Sequence, residues 1–406
     1  MQHNDLEITM SVISERINNL SESETLAMAS MSRKLKAQGF DVINLSLGEP
    51  DFNTPEHIKE AAKNAIDQNY TYYPPVTGFP ELREAICKKF KNENNLEFKP
   101  EQIIVSTGAK QSIANVVMSL LNPCDEVIIP APYWVSYKEI IKLADAKPVY
   151  VTAGIEHDFK ITPAQLEKAI TPATKLFIFS SPCNPTGSVY TKQELKALAE
   201  VFALHDQVYI LSDEIYEHII FNGVHESIAQ FENIRDRVII VNGVSKSFAM
   251  TGWRIGYMAA SVEIAKACNK LQGQTTSGAC SISQKAAFAA LTGDLSSVKT
   301  MLTAFHERRN LLVKLLNEIP EIKTNVPEGA FYVFPDITYY FGKTDGKVTI
   351  NNATDLCNYI LNKVYVAIVP GNAFGDPNCI RFSYATSKEL LTEAVARIKA
   401  ALADLY

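Results

Sequence analysis

"RVIIVNGVSKSFAMTGWRIGY", residues 237–257, joins two kinds of sequence. Its first seven residues are a nearly unbroken run of branched apolar side chains closed by a glycine. An amphipathic helix would space its apolar positions by three and four, and a half-exposed strand would alternate. A short continuous run ending in a turn residue instead suits a strand covered on both faces, as in a parallel sheet. The remainder sets a lysine, Lys246, between two serines and brings in an arginine, Arg254, behind Thr-Gly-Trp. An amine and a fixed cation therefore stand just past the end of a buried strand.

Four more runs read the same way: "QIIVS" (102–106), "EVIIP" (126–130), "KLFIFSS" (175–181) and "VYILSD" (208–213). Marked helix starts lie among and around them. "TPEHIKEAAKNAI" is expected to open with Thr54 as its cap and Pro55 in the first turn, and "ITPAQLEKAI" with Thr162 and Pro163. "TKQELKALAEVF" carries a capping box of Thr191 and Glu194, and the C-terminal "TSKELLTEAVARIKAALADLY" repeats it with Thr386 and Glu389. Alternating strands and helices predict an α/β fold with a large, doubly covered, mostly parallel sheet. The last hundred residues differ. "GAFYVFPDI", "YVAIVPGNAFG" and "CIRFSYAT" read as strands flanked by helices, a smaller α+β domain on which the early helix "ETLAMASMSRKLKAQG" is expected to pack. The expected division is an N-terminal arm, 1–12, a small domain of 13–47 with 296–406, and a large domain, 48–295.

Composition narrows the partners. Of 406 residues, 47% are apolar, enough for a sizeable core. Thirty-nine Lys and Arg against 45 Asp and Glu leave a net charge of −6, which argues against nucleic acid or an anionic membrane as main partner. An anionic ligand must then be held by locally placed cations. Seven scattered cysteines without C-x-x-C spacing suggest reduced thiols, a cytoplasmic location and no structural metal. The histidines show no metal-ligand spacing, and His205 and His218 are expected to be structural. The first twenty residues do not read as a secretion signal, and no window approaches the ~18 apolar residues of a membrane span.

In open α/β sheets ligands sit at the carboxyl ends of the strands, so the groups there carry the functional signal. After 102–106 comes "TGAKQS", a glycine turn opening a helix, whose free N–H groups attract anions. It matches neither G-x-G-x-x-G nor the P-loop, so nucleotide binding is not indicated. After 175–181 comes "SPCNPTG", a rigid loop holding Asn184; by itself it is an ordinary turn. After 208–213 comes "SDEIYEHI", with Asp213 at the strand end and Tyr216 three residues on. Alone, that aspartate could simply cap a helix. Taken together with Lys246 and Arg254, these groups meet the needs of pyridoxal phosphate. Its aldehyde needs a lysine, its pyridine nitrogen a buried carboxylate, its ring oxygen hydrogen-bond donors, and its phosphate amides plus an arginine.

"SPCNPTG", "SDEIYEHIIF", "VSKSFAMTGWRIGY" and "IRFSYAT", in this order, resemble the fold-type I, class-I pyridoxal-phosphate-dependent aminotransferases. "YYPPVTGFPELREAI", "TGAKQS" and "APYWVSY" resemble the bacterial aspartate aminotransferases among them, and the likeness runs from "INLSLGEPDF" (43–52) to "IRFSYAT" (380–386). The resemblance implies that Lys246 anchors the cofactor covalently and later moves a proton at Cα. It implies Asp213 at the pyridinium, Asn184 and Tyr216 at the ring oxygen, and Trp134 on the ring face. Gly108, Ala109, Lys110, Ser245 and Arg254 would hold the phosphate, with Tyr73 reaching the phosphate in a partner subunit. Arg381 would clamp the substrate α-carboxylate near Gly48, Trp134 and Asn184, and Lys110 would meet a distal carboxylate. The implied protein is a homodimer with shared active sites, acting on small-molecule amino acid and 2-oxo acid substrates by ping-pong half-reactions. L-aspartate and 2-oxoglutarate are the expected pair; a prephenate-using or broad-specificity aminotransferase and a C–S lyase on the same scaffold are the alternatives.

Two positions depart from the pattern. Cys183 stands where an asparagine is common, and is expected to be a tolerated small side chain rather than a nucleophile. Relatives that use prephenate carry a lysine in the N-terminal segment where Ser21 aligns here, which counts against prephenate.

Overall fold

The computed structural model describes residues 12–406, so the expected arm, 1–12, lies outside the described residues but for its last position. The first strand, β1 (Ile43–Asn44), belongs to the smaller part of the molecule. The main sheet is built from β2 (Ile103–Ser106), β3 (Glu126–Ala131), β4 (Lys147–Thr152), β5 (Thr174–Ser180), β6 (Tyr209–Asp213), β7 (Val238–Gly243) and β8 (Gly256–Ala259). Their order is β2-β8-β7-β6-β5-β3-β4. From β4 to β7 every neighbour is parallel, whereas β8 runs antiparallel to both β7 and β2. All five runs expected to be strands are present. Two strands of this sheet were not expected: β4, whose "KPVYVT" is half-exposed at the sheet edge, and β8, which makes the turn after Lys246 fold back as a hairpin. Expected as one of a parallel set, β2 pairs only with this antiparallel strand.

The alternation of side chains divides the branched runs between two apolar layers. In β7, Val238 and Ile240 pack with the helices Glu56–Asp67, Pro80–Asn94, Lys192–Phe202 and Ser281–Thr292. Ile239 and Val241 point the other way, to the helices Ala109–Leu120, Ser136–Leu143 and Val262–Thr275. A period of two, buried on both sides, is why the sequence reads as continuous. Each fully buried Ile or Val there contributes roughly 1.5–3 kcal/mol of transfer free energy.

A third apolar layer joins the helices Glu24–Ala37, Ser296–Leu316, Ala353–Val364 and Lys388–Ala403 to short strands. These are β9 (Tyr332–Val333), β10 (Val366–Ala367) and β12 (Ile380–Ser383), while β11 (Val369–Pro370) places Val369 in a smaller apolar cluster with Phe334 and Phe374. β10 pairs with β1 in parallel, and β12 lies between β11 and β9, antiparallel to both. The stretch read as one strand, "YVAIVPGNAFG", thus divides into two, followed by a 3₁₀ turn over Gly371–Phe374. Tyr216 and Ile219, just past β6, belong to this layer as well, so the carboxyl edge of the main sheet meets the smaller part at that point.

Capping follows the sequence at Thr162 and Thr191, whose hydroxyls accept from the N–H groups of Gln165 and Glu194. It departs at two other threonines. Thr54 donates to the Ala249 carbonyl at 2.7 Å and accepts from the Trp253 indole at 3.0 Å, so its hydroxyl serves a tertiary contact. The last helix starts one residue later than expected, with Ser387 rather than Thr386 accepting from the N–H of Leu390. Among the described residues, no helix is long and apolar enough to cross a membrane.

Candidate active site

The carboxyl ends of β2, β5, β6 and β7 open onto one cavity of about 300 Å³. Of the sequence-derived candidates, Gly48, Ala109, Lys110, Trp134, Asn184, Asp213, Tyr216, Ser245, Lys246, Arg254 and Arg381 all line it. That volume is at the small end of ligand sites, enough for a compact cofactor and a small substrate.

One corner suits a phosphate. Gly108 precedes the helix Ala109–Leu120 with φ +85°, and a Cβ there would stand 2.2 Å from Arg254 Nη2, so only glycine lets the guanidinium close over the helix start. Arg254 itself has φ +57°, the left-handed turn that carries its side chain back toward β2. Its Nη1 is fixed by the Thr251 carbonyl at 2.8 Å. The first-turn N–H groups at Ala109 and Lys110 have no intrahelical acceptor by position, and they face a ready cation.

Asp213 ends β6 and is 5% exposed. Its Oδ2 accepts from the Tyr137 hydroxyl at 2.7 Å and its Oδ1 from the Ile215 N–H at 3.3 Å. Burial raises its pKa to about 6 despite these donors, so it is ionised at neutral pH and would pair with a buried cationic nitrogen. Lys246 donates from Nζ to the carbonyl oxygen of Gly48. Withdrawal from bulk water, reinforced by Arg381 and Arg254, lowers its pKa to about 8 against the pull of Glu49 and Asp213. An amine so tuned is a usable nucleophile and base near neutral pH.

The substrate side is built around Arg381 of β12, 2% exposed. Nη1 donates to Asn184 Oδ1 at 2.9 Å and Nη2 to the Ser46 carbonyl at 2.6 Å, while buried Nε has no partner. Engaging its oxygen this way leaves Asn184 its amide N–H₂ as donor to the cavity. Lys110 Nζ lies 4.9 Å from the Trp134 ring centroid at the mouth, and partial burial and the charge of Arg254 lower its pKa.

Tyr73 is not brought to this cavity. It is 93% exposed on a surface hollow shared with Tyr72, Thr276 and Ser277. Cys183 turns its sulfur away toward the Pro132 carbonyl and a small inner hollow, and burial raises its pKa, which disfavours the thiolate. His218 and Glu93 converge with Glu217, and His225 with Glu214 and Glu217. The ammonium of Lys89, 1% exposed at its side chain, pairs with Glu217 in that cluster and supplies its positive charge.

Sequence reasoning missed several contributors. Tyr137 stands three residues after Trp134 in "APYWVSY", one helical turn on, and that spacing could have marked it. Tyr332, whose hydroxyl lies 2.7 Å from that of Tyr216, sits in "GAFYVF", where nothing distinguishes it from core. Ser23, Thr25 and Leu26 reach the mouth from the start of the helix Glu24–Ala37, and the Thr25 hydroxyl is buried without a partner.

Residues 41–398 match the family model for aminotransferase class I and II. The chain is 50% identical over 400 residues to the bifunctional aspartate aminotransferase and glutamate/aspartate-prephenate aminotransferase of Petunia hybrida, covering 97% of this chain and 83% of that protein. It is 50% identical over 399 residues to the aspartate/prephenate aminotransferase of Cereibacter sphaeroides, covering 98% and 100%. The crystal structure of the aspartate aminotransferase from Rhizobium meliloti superposes with a TM-score of 0.94 at 43% identity, over 97% of this chain and 99% of that one.

Proposed function

This chain belongs to the class I and II aminotransferase family and is a transaminase, and we propose that it passes the amino group of L-aspartate to 2-oxoglutarate with pyridoxal phosphate as cofactor. Its mostly parallel seven-stranded sheet, covered by helices on both faces, is the fold-type I architecture. The observation that carries the reading is the charge of the cavity. Lys110, Lys246, Arg254 and Arg381 all face it, and among the described residues lining it Asp213 is the one carboxylate. A phosphate and two carboxylates are the anions that such a site balances.

Bound there, pyridoxal phosphate supplies an electron sink for the charge left when a Cα proton departs. In this reading the Gly108–Lys110 helix start, Ser245 and Arg254 hold the phosphate, and Asp213 keeps the ring nitrogen protonated. Trp134 covers a ring face, while Asn184 and Tyr216 donate to the ring oxygen. Lys246 anchors the aldehyde carbon and, once freed, carries the proton at the substrate Cα. Arg381 fixes the α-carboxylate beside Gly48 and Asn184. Lys110, with Ser23 and Thr25 at the mouth, receives the distal carboxylate.

Lys110→Ala is expected to lower kcat/KM for aspartate and glutamate roughly 10- to 100-fold, the scale of one partly buried charge pair, while alanine changes little. Steady-state kinetics with the three donors checks this, and equal losses for all would remove Lys110 from side-chain recognition.

Prephenate is a second possible acceptor, favoured by the names of the two relatives and opposed by Ser21, whose N–H donates to Glu139 near the mouth. A donor panel with 2-oxoglutarate and with prephenate separates these readings. Pyruvate and ammonia released from cystine without an oxo-acid acceptor would instead mark a C–S lyase. The reading includes a homodimer in which Tyr73 reaches the partner's phosphate corner, supported by its full exposure away from its own cavity. It keeps the division into a large unit, 48–295, and a small one, 13–47 with 296–406, supported by apolar layers that are distinct except where Ile215, Tyr216 and Ile219 join the small unit's layer. It also keeps a cytoplasmic location, supported by seven unpaired cysteines.

A further inference from the structure

The hydroxyls of Tyr216 and Tyr332 lie 2.7 Å apart on two buried side chains, one following β6 and the other in β9. Each phenol has one proton, so one of them donates to the other. The surroundings of the pair are unequal. The guanidinium carbon of Arg381 stands 4.6 Å from the centroid of the Tyr332 ring. A cation over a phenol favours its ionised form and strengthens its O–H as a donor. The Tyr332 oxygen is also packed against Gly48, where an added Cβ would lie 2.6 Å from it. Burial raises both phenols; Tyr216 is pushed well above the usual range by burial and by Tyr332, with Arg381 only a lesser opposing influence, whereas for Tyr332 Arg381 is the first influence to oppose burial, followed by the bond to Tyr216.

We propose that Tyr332 is a positioning residue: it donates its proton to Tyr216, which turns its own proton into the cavity, and it ties this bond to the charge of Arg381. The inference rests on the pyridoxal phosphate reading, in which the Tyr216 proton goes to the cofactor ring oxygen. A hydroxyl that accepts a hydrogen bond is a stronger donor in turn, so Tyr332 strengthens the contact made by Tyr216. A carboxylate on Arg381 offsets the cation above the Tyr332 ring. Tyr332 then donates less strongly, and so does Tyr216. Substrate binding at one end of the cavity is thereby felt at the other through two phenols.

The test compares Tyr332→Phe, Tyr216→Phe and the double variant, each loaded with pyridoxal phosphate, by the pH midpoint of the near-visible absorbance. Phenylalanine keeps the ring under Arg381 and removes only the hydroxyl. Tyr332→Phe is expected to raise the midpoint by roughly half a unit to one unit, the scale of one hydrogen bond. Tyr216→Phe should raise it further, and the double variant should match Tyr216→Phe, because Tyr332 acts through Tyr216. Succinate, a dicarboxylate without an amino group, should raise the midpoint more in the wild type than in Tyr332→Phe. An unchanged midpoint in Tyr332→Phe, or a shift that persists in the Tyr216→Phe background, overturns the proposal while leaving the cofactor reading intact. A wild-type protein that shows no near-visible band with pyridoxal phosphate overturns the cofactor reading itself.

Discussion

Lys246→Ala removes the near-visible absorbance of the cofactor-loaded protein and lowers turnover of aspartate with 2-oxoglutarate by at least about 10⁴-fold. Two losses combine. On the proposed reading the covalent anchor goes, and so does the group that carries the proton, a role worth ~10²–10⁴ by itself. The position of the amine is set by β7, by the turn after it and by the Gly48 carbonyl, and none of these can be replaced by a lysine elsewhere. Absorbance spectra and a coupled oxaloacetate assay check the expectation. A variant that keeps a pH-dependent near-visible band would place the anchor on another residue. The lowered pKa adds a second readout. In the cofactor-free wild type, trapping of Lys246 by a carbonyl reagent should rise with pH through a midpoint near 8. Folded-state depression of a lysine also means that the unfolded chain binds the extra proton. Stability should therefore increase as pH rises between about 8 and the ordinary lysine value of ~10.4. Lys246→Ala should lack that increment.

Arg381→Ala raises KM for every amino donor and lowers kcat/KM by roughly 30- to 5,000-fold, the cost of losing one side of a buried, hydrogen-bonded charge pair. Its fork already spends two nitrogens on Asn184 and Ser46 and holds a buried Nε without a partner. A planar donor set held so rigidly suits a carboxylate, and a lysine cannot reproduce it. Arg381→Lys should therefore recover only a small part of the loss. Aspartate, glutamate and alanine should suffer alike, in contrast to Lys110→Ala, because all three present the same α-carboxylate. A loss confined to dicarboxylates would reassign Arg381 to the distal group.

Much of this site is legible in the chain because β/α alternation delivers one short loop per strand to a common edge. Asp213, Asn184, Lys246 and Arg254 each follow a recognisable strand, so topology alone brings them together. Arg381 is different. It lies in a strand more than a hundred residues later, "IRFSYAT", and only family likeness marked it before the fold did. Tyr73 shows the limit from the other side: the same likeness marked it, and the single chain leaves it on the surface.

Side-chain partners were far less legible than backbone elements. Thr54 has the sequence context of a cap, yet its hydroxyl lies between Ala249 and Trp253, almost two hundred residues away. Lys89 lies in the charged helix stretch "CKKFK", yet its side chain is buried against Glu217, more than a hundred residues away. Charged residues on amphipathic helices ordinarily face water, and periodicity gives no warning when one is drawn inward by a distant carboxylate.

By itself the sequence determined the α/β architecture, the strand ends that bear function and the residue types that meet there, because these depend on local periodicity and on order along the chain. The tertiary structure alone decided which hydroxyl donates to Asp213, which phenol adjoins Tyr216, and how Gly48 and Gly108 leave room for Tyr332 and Arg254. Those contacts are set at distances near 3 Å between segments remote in sequence, where a single Cβ or one proton changes the outcome.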